Sequence, residues 1–285
     1  MLIYGRTDLA SEAHQIASQG TKSGRLEGVV ARQEKINDLP VTAVEVLTQE
    51  GAEAIGKPVG KYFTLEINGH FERGSETFPD AAQAVAELIR RCGEICASRK
   101  IFIAALGNPD ITPDAIGPLA ASNILVTRHL KASAPKEFAA FRATVLCRTG
   151  VLGTTGMESA LQVKTLCREM QPDLVIAIDA LAGAEASRLC RTIQICSTGI
   201  SPGSGVGNDR EALNEESLGV PVVAIGVPTV IDAAYFSDDP KLRAMFVTPR
   251  DIDSAVRTAS RLIGYGINLA LHDGLTVDDI DMLVG

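Results

Sequence analysis

The stretch Asp173-Leu-Val-Ile-Ala-Ile-Asp-Ala-Leu-Ala182 constrains the fold more than any other in the chain. Leu174 to Ile178 form an unbroken apolar run, rich in β-branched types, bounded by Pro172 and Asp179. The run is too short for a helix of its own and has no alternating polar face. It predicts a strand buried on both faces of a parallel sheet. Asp179 stands where the run stops. In open α/β sheets ligands bind in the crevice beyond the carboxyl ends of the strands, which places this carboxylate at an address for chemistry. Downstream, Ser197-Thr-Gly-Ile-Ser-Pro-Gly-Ser-Gly-Val-Gly-Asn208 is a glycine-rich loop with few bulky groups, able to bring backbone N–H groups close to a substrate.

The rest of the chain alternates in the same way. Glu27 to Glu34 and Pro40 to Thr48 read as two strands joined by the polar turn Asn37-Asp38, Gly51 to Gly60 as a turn region, and Tyr62 to Ile67 as a third strand. Pro79-Asp80 opens a helix with the apolar stripe Val85, Leu88, Cys92, Ile95 and Cys96. Ile101 to Ala105 is a further buried strand, followed by the loops Gly107-Asn108-Pro109-Asp110 and Thr112-Pro-Asp-Ala-Ile-Gly-Pro118. Further strands are expected at Ile124 to Thr127, Thr144 to Leu146, Thr192 to Ile195 and Val222 to Ile225. Helices are expected from about Met157 to Met170 and from Ile252 to Leu271. The pattern predicts an α/β fold in three αβα layers, with a mostly parallel central sheet and an N-terminal strand cluster pairing antiparallel at its edge. With no linker and no internal repeat, residues 1–285 read as one domain.

Composition narrows the function. A net charge of −8 argues against a general nucleic-acid binder. No apolar run approaches a membrane span. The 6 cysteines are scattered through apolar contexts with no Cys-x-x-Cys pair and no signal peptide, so reduced thiols and a cytoplasmic location are expected. His14, His70, His129 and His272 are far apart and no His-Glu-x-x-His occurs, so neither a metal nor another cofactor is expected.

Two aspartates share a context: Asp114, in the loop after one buried strand, and Asp179, at the end of another. If the strands are neighbours, both carboxylates face one crevice. Such a pair does not readily ionise twice, and the shared proton gives one general base for water and one general acid. Spacing alone weighs toward a plainer reading, in which Asp114 caps a helix starting near Ala115 and Asp179 bonds backbone at a strand end. Asn108, Thr198, Gly203, Gly205 and Asn208 are candidate site-lining residues in the adjoining loops. Glu158 is another, although its place near a helix start equally suits the helix dipole. The glycine-rich loop lacks the P-loop and dinucleotide fingerprints, and no Gly-x-Ser-x-Gly elbow occurs.

Several segments in fixed order resemble the germination proteases, spore endopeptidases of endospore-forming bacteria. They are Arg6-Thr-Asp-Leu-Ala10, Glu50 to Gly56, Leu106-Gly-Asn108 with Thr112 to Pro118, Thr127-Arg-His-Leu130, Gly150 to Gly156, Pro172 to Ala182, Pro202 to Asn208 and Leu218 to Val230. The resemblance implies an atypical aspartic-type endopeptidase with a fold similar to the hydrogenase-maturation proteases. Its implied substrates are small acid-soluble spore proteins, degraded at germination in the spore cytoplasm. It also implies a homo-oligomer, a tetramer, and maps the family's two catalytic aspartates onto Asp114 and Asp179.

Three departures stand out. Five residues precede Arg6, too few to cover a crevice since they reach at most ~18 Å extended. The expectation is a protein made competent, or one controlled elsewhere than by a pro-segment. The segment between Asp232 and Val247 is short, and Ser197 and Ser201 stand where familiar members have Asp and His.

Overall fold

The computed structural model describes residues 7–21, 25–67, 71–95, 99–204, 210–236, 239, 242 and 245–284. Its strands are β1 (Val29–Ile36), β2 (Leu39–Val46), β3 (Gly60–Glu66), β4 (Ile101–Leu106), β5 (Thr144–Gly150), β6 (Leu174–Gly183), β7 (Thr192–Cys196), β8 (Val222–Asp232) and β9 (Phe246–Val247). Its helices are α1 (Ala10–Gln19), α2 (Gln49–Ile55), α3 (Phe78–Gly93), α4 (Ile116–Ala121), α5 (Arg128–Ser133), α6 (Leu152–Thr155), α7 (Ser159–Met170), α8 (Glu215–Leu218), α9 (Ile252–Leu271) and α10 (Val277–Val284).

All nine strands join one mixed sheet in the order β1-β2-β3-β7-β8-β6-β4-β5, with β9 pairing β8. The strands β5, β4, β6 and β8 are parallel to one another, and β8-β7-β3-β2-β1 are joined antiparallel. The α/β class and the antiparallel N-terminal edge agree with the reading of the sequence. The β1–β2 hairpin turns at Asn37 and Asp38, whose φ values of 49° and 63° suit short polar side chains in a two-residue turn.

Alternation along β6 explains why its run is apolar throughout. Ile176 and Ile178 face a core shared with α3, α4 and α9, while Val175 and Ala177 face a second core under α7. A third cluster joins α1 and α2 to Val44, Tyr62 and Cys196 at the antiparallel half. Helices therefore cover both faces. Each fully buried Ile or Leu contributes about 1.5–3 kcal/mol relative to exposure, so β6 is held mainly by desolvation.

Five details differ from expectation. Residues 51–60, read as a turn region, contain most of α2. The Thr48 hydroxyl accepts from Gly51 N–H at 3.2 Å and the helix ends at Gly56, φ 65°. Gly51 and Gly56 mask a short run of helix-forming Glu and Ala. Ile124 to Thr127 is not a strand: Leu125 N–H donates to the Asn268 side chain at 2.9 Å, and β4 already occupies the inner edge of β5. The helix expected from Met157 starts at Ser159, and α3 stops at Gly93, so Ile95 packs on the core from beyond the helix. Finally, β6 continues past Asp179 to Gly183. Cys96 lies outside the described residues. Cys92, Cys147, Cys167, Cys190 and Cys196 are free thiols.

Candidate active site

The ladder between β4 and β6 ends at the pair Ala105–Ile178, whereas β6 stays paired to β8 from Asp179 through Gly183. Asp179 is thus the first β6 residue past that ladder, in the crevice expected for a parallel sheet. It is 6% exposed, and its Oδ1 accepts the Ala180 N–H at 2.9 Å.

Asp114 reaches the same place from a loop. After β4 the chain reverses at Gly107, whose φ of 106° favours glycine. A Cβ there would lie 2.1 Å from the Asp114 carbonyl oxygen. Residues Thr112–Asp114 form one 3-10 turn. The Thr229 hydroxyl donates to Pro113 O at 2.7 Å and the Thr112 hydroxyl to Asp253 at 2.7 Å, tying the turn to β8 and α9. The helix α4 then starts in close contact with the strand ends: a Cβ on Gly117 would lie 2.2 Å from Leu106 O and 2.7 Å from Ile178 O. The helix-capping reading of Asp114 does not hold. Ala115 occupies the N-cap of α4, and the Asp114 carboxylate instead accepts the Asn108 N–H at 2.9 Å.

Both carboxylates line one cleft of about 280 Å³, together with Asp8, Ser201, Gly203 and Arg210. Burial pushes the Asp179 carboxyl well above the ordinary carboxylate range. The negative charges of Asp114 and Asp8 add to that, against the Ala180 N–H and the Arg210 guanidinium. Asp114 is raised as well, by burial, with the Asn108 N–H and Arg210 opposing. A second cavity of about 670 Å³ adjoins the cleft. It shares Asp8, Leu181, Ile200 and Ser201 with it, and is walled by Lys57 and Tyr62 among others.

The other candidates divide. Gly203 lines the cleft, in a left-handed conformation with φ 76°. Asn108 serves it through its backbone, while its side chain accepts the Asp110 N–H at 3.0 Å and holds the loop. Glu158 sits at the N-cap of α7 without capping it and pairs at 3.8 Å with Arg210, so it reaches the cleft through that arginine. Thr198 lines the larger cavity, as does Ser201, which borders both. Gly205 and Asn208 lie outside the described residues, which stop at Ser204 in this loop and resume at Arg210. Residues not singled out from the sequence as site residues include Asp8, Arg210 and Ser159. The first stands in the Arg6 to Ala10 segment, which the resemblance had marked without assigning a role. Arg210 has no comparable signal.

Among the described residues no group of three or more His, Cys, Asp or Glu side chains is placed to hold a metal ion. Nor is any described helix long and apolar enough to cross a membrane.

The model of the germination protease family matches residues 7–242. The chain belongs to the germination protease family. The germination protease of Caldanaerobacter subterraneus subsp. tengcongensis is 39% identical over 320 residues, spanning 98% of this chain and 98% of that protein. That of Clostridium perfringens is 36% identical over 318 residues, spanning 97% and 98%. The Geobacillus germination protease is 38% identical over 286 residues, spanning 96% of this chain and 76% of its own. Among solved structures, the [NiFe] hydrogenase maturation protease HycI of Thermococcus kodakarensis is 17% identical. That likeness covers 65% of this chain and 99% of the other, with a TM-score of 0.37. As a member of the germination protease family, the chain is a protease of spore germination.

Proposed function

We propose that this germination protease is an aspartic-type endopeptidase of the spore cytoplasm that degrades small acid-soluble spore proteins, with Asp114 and Asp179 as its catalytic pair. The observation that carries the reading is that the two carboxylates line one cleft and the charge of Asp114 acts on the buried Asp179. Two carboxylates so close in effect share a proton between them. The less solvated Asp179 holds it. Asp114, steadied as an anion by the Asn108 N–H and Arg210, is the base.

The reaction then follows from proton positions. Asp114 takes a proton from water as the water oxygen bonds to the peptide carbonyl carbon. The resulting oxyanion is met by Arg210 and the backbone of the Gly203 loop. As the C–N bond breaks and the carbonyl re-forms, Asp179 gives its proton to the leaving nitrogen. Transfer of the proton from Asp114 back to Asp179 restores the resting pair. In keeping with the resemblance, the protein works as a homo-oligomer.

Incubation of the full chain with a purified small acid-soluble spore protein, with product masses measured, tests this reading. Discrete internal fragments are the expected result. Binding without cleavage, or cleavage abolished by chelation and restored by a divalent ion, would overturn it.

A further inference from the structure

Asp8 is the cleft's third carboxylate and takes no part in the chemistry above. It precedes α1 in sequence but is fastened to β6. Its N–H donates to Ala182 O at 2.9 Å, and its Oδ2 accepts the Ala182 N–H at 2.8 Å. Residue 8 therefore continues the edge of β6 that β4 has vacated, three residues beyond Asp179. Its Oδ1 accepts the Ser204 hydroxyl at 2.8 Å, which ties the glycine-rich segment to the same point. Its carbonyl oxygen accepts from the Gln194 side chain at 2.9 Å, and the next residue but one, Ala10, donates its N–H to Gln194 Oε1 at 2.7 Å. Lys57 Nζ holds the preceding residue through Thr7 O at 2.9 Å. So many ties fix the carboxylate in the wall between the two cavities.

We propose that Asp8 is a positioning residue for the reaction: its charge, locked to β6 at Ala182, keeps the shared proton on Asp179, and its bond to Ser204 anchors that residue, which follows Gly203, at the cleft wall. The inference rests on the aspartate-pair reading above. The charged groups acting on Asp179 are Asp114 from the β4–α4 loop, Asp8 from the segment before α1, and Arg210. Of the two like charges, Asp114 is itself part of the pair, which leaves Asp8 as the fixed one. A fixed negative charge beside a carboxylic acid favours its protonated form. The alkaline limb of kcat, where the acid loses its proton, is therefore set higher with Asp8 present than without it.

The test is the pH profile of spore-protein cleavage for Asp8→Asn, Asp8→Ser and Asp8→Glu. Asparagine preserves an acceptor for the Ala182 N–H, serine is a shorter neutral group, and glutamate preserves the charge. The neutral variants are expected to move the alkaline limb of kcat to lower pH. They lose roughly threefold to tenfold in rate on the alkaline side and much less on the acid side. Asp8→Glu is expected to keep the limb where it is in the parent. Because the position of a limb does not depend on the fraction of enzyme folded, a less stable variant still reports. An unmoved limb with equal loss at every pH in the neutral variants, no folded protein from either, or the same displacement in Asp8→Glu would overturn the proposal and make Asp8 a structural clamp only. Failure of the pair itself would appear separately, as cleavage surviving in Asp114→Asn or Asp179→Asn.

Discussion

The main-chain N–H of Asn108 donates both to the backbone carbonyl of Asp114, at 3.0 Å, and to its carboxylate Oδ2, at 2.9 Å. One arm closes the loop after β4 and the other aims the carboxylate. Hydrogen bonding to the charged form favours it, so the same contact works against the effect of burial on Asp114. Asp179 receives the N–H of Ala180 but is more deeply buried and has two like charges acting on it. The two carboxyls thus differ in environment before any substrate arrives, as division into base and acid requires.

Asp114→Asn and Asp179→Asn are each expected to lower cleavage by at least ~100-fold with the circular-dichroism spectrum unchanged. They should differ in stability. A carboxyl whose folded-state affinity for protons is raised contributes most when protonated, and that contribution is lost as pH rises through its folded pKa. Asp179→Asn, neutral at every pH, should therefore melt about 2 °C or more above the parent at pH 8, with the gain vanishing in acid. Near-parental turnover in either variant would refute the assignment.

Gly107→Ala is expected to cost more than about 1 kcal/mol and to reduce cleavage as well. Its φ of 106° disfavours any side chain, and a Cβ would sit 2.1 Å from the Asp114 carbonyl oxygen. The loop has to move, and Asp114 with it. Denaturant midpoints and kcat measured together check this: a stability loss without a rate loss would show that the turn does not position the carboxylate.

His272 is expected to make the fold acid-sensitive. It is buried, its Nδ1 accepts the Arg142 N–H at 3.3 Å, and its ring packs against Phe141 with centroids 5.1 Å apart. Protonating Nδ1 would set two donors against each other. Burial first, then the charge of Arg142, pushes the imidazole down to about 4 from 6.5. The folded protein therefore binds fewer protons than the unfolded chain between those values, and stability falls as pH drops through that window. His272→Phe should flatten the melting temperature between pH 6.5 and 4. An unchanged slope would exclude His272 as its source.

Cleavage is expected to survive exhaustive chelation at its full rate, since a carboxylate pair suffices to activate water and no described cluster is placed to ligate a metal. An assay before and after chelation, with divalent ions added back, checks it. Activity lost and then regained with an ion would show metal-assisted hydrolysis instead.

Much of the fold was legible because local physics decides it. The unbroken apolar run of β6 could be satisfied only with helices on both faces, and the stripe Val256, Ala259, Ile263, Ile267 locates α9 at Ile252–Leu271, the bounds read from the sequence. The α2 helix is masked in the sequence by Gly51 within its first turn and Gly56 at its end. Ile124 to Thr127 has strand-like composition, but its Leu125 N–H is taken by the Asn268 side chain and not by a neighbouring strand. Propensity is local, whereas pairing depends on the partners that the fold brings within reach.

The sequence by itself determined that the chain is α/β, that Asp179 ends a buried run, and that Asp114 follows another. It left open whether the two meet. Only the tertiary structure decided that, by making β4 and β6 neighbours and pressing Gly117 against Leu106 and Ile178, so that one loop lies over the end of the other strand. The tertiary structure alone also brought Asp8, 171 positions before Asp179, to the edge of β6, and Arg210 into the same cleft. Apolar periodicity is written along the chain because burial acts on each residue's own neighbours. The field in a cleft is summed over charges that are close in space and far apart in sequence, and it exists only once the sheet order is fixed.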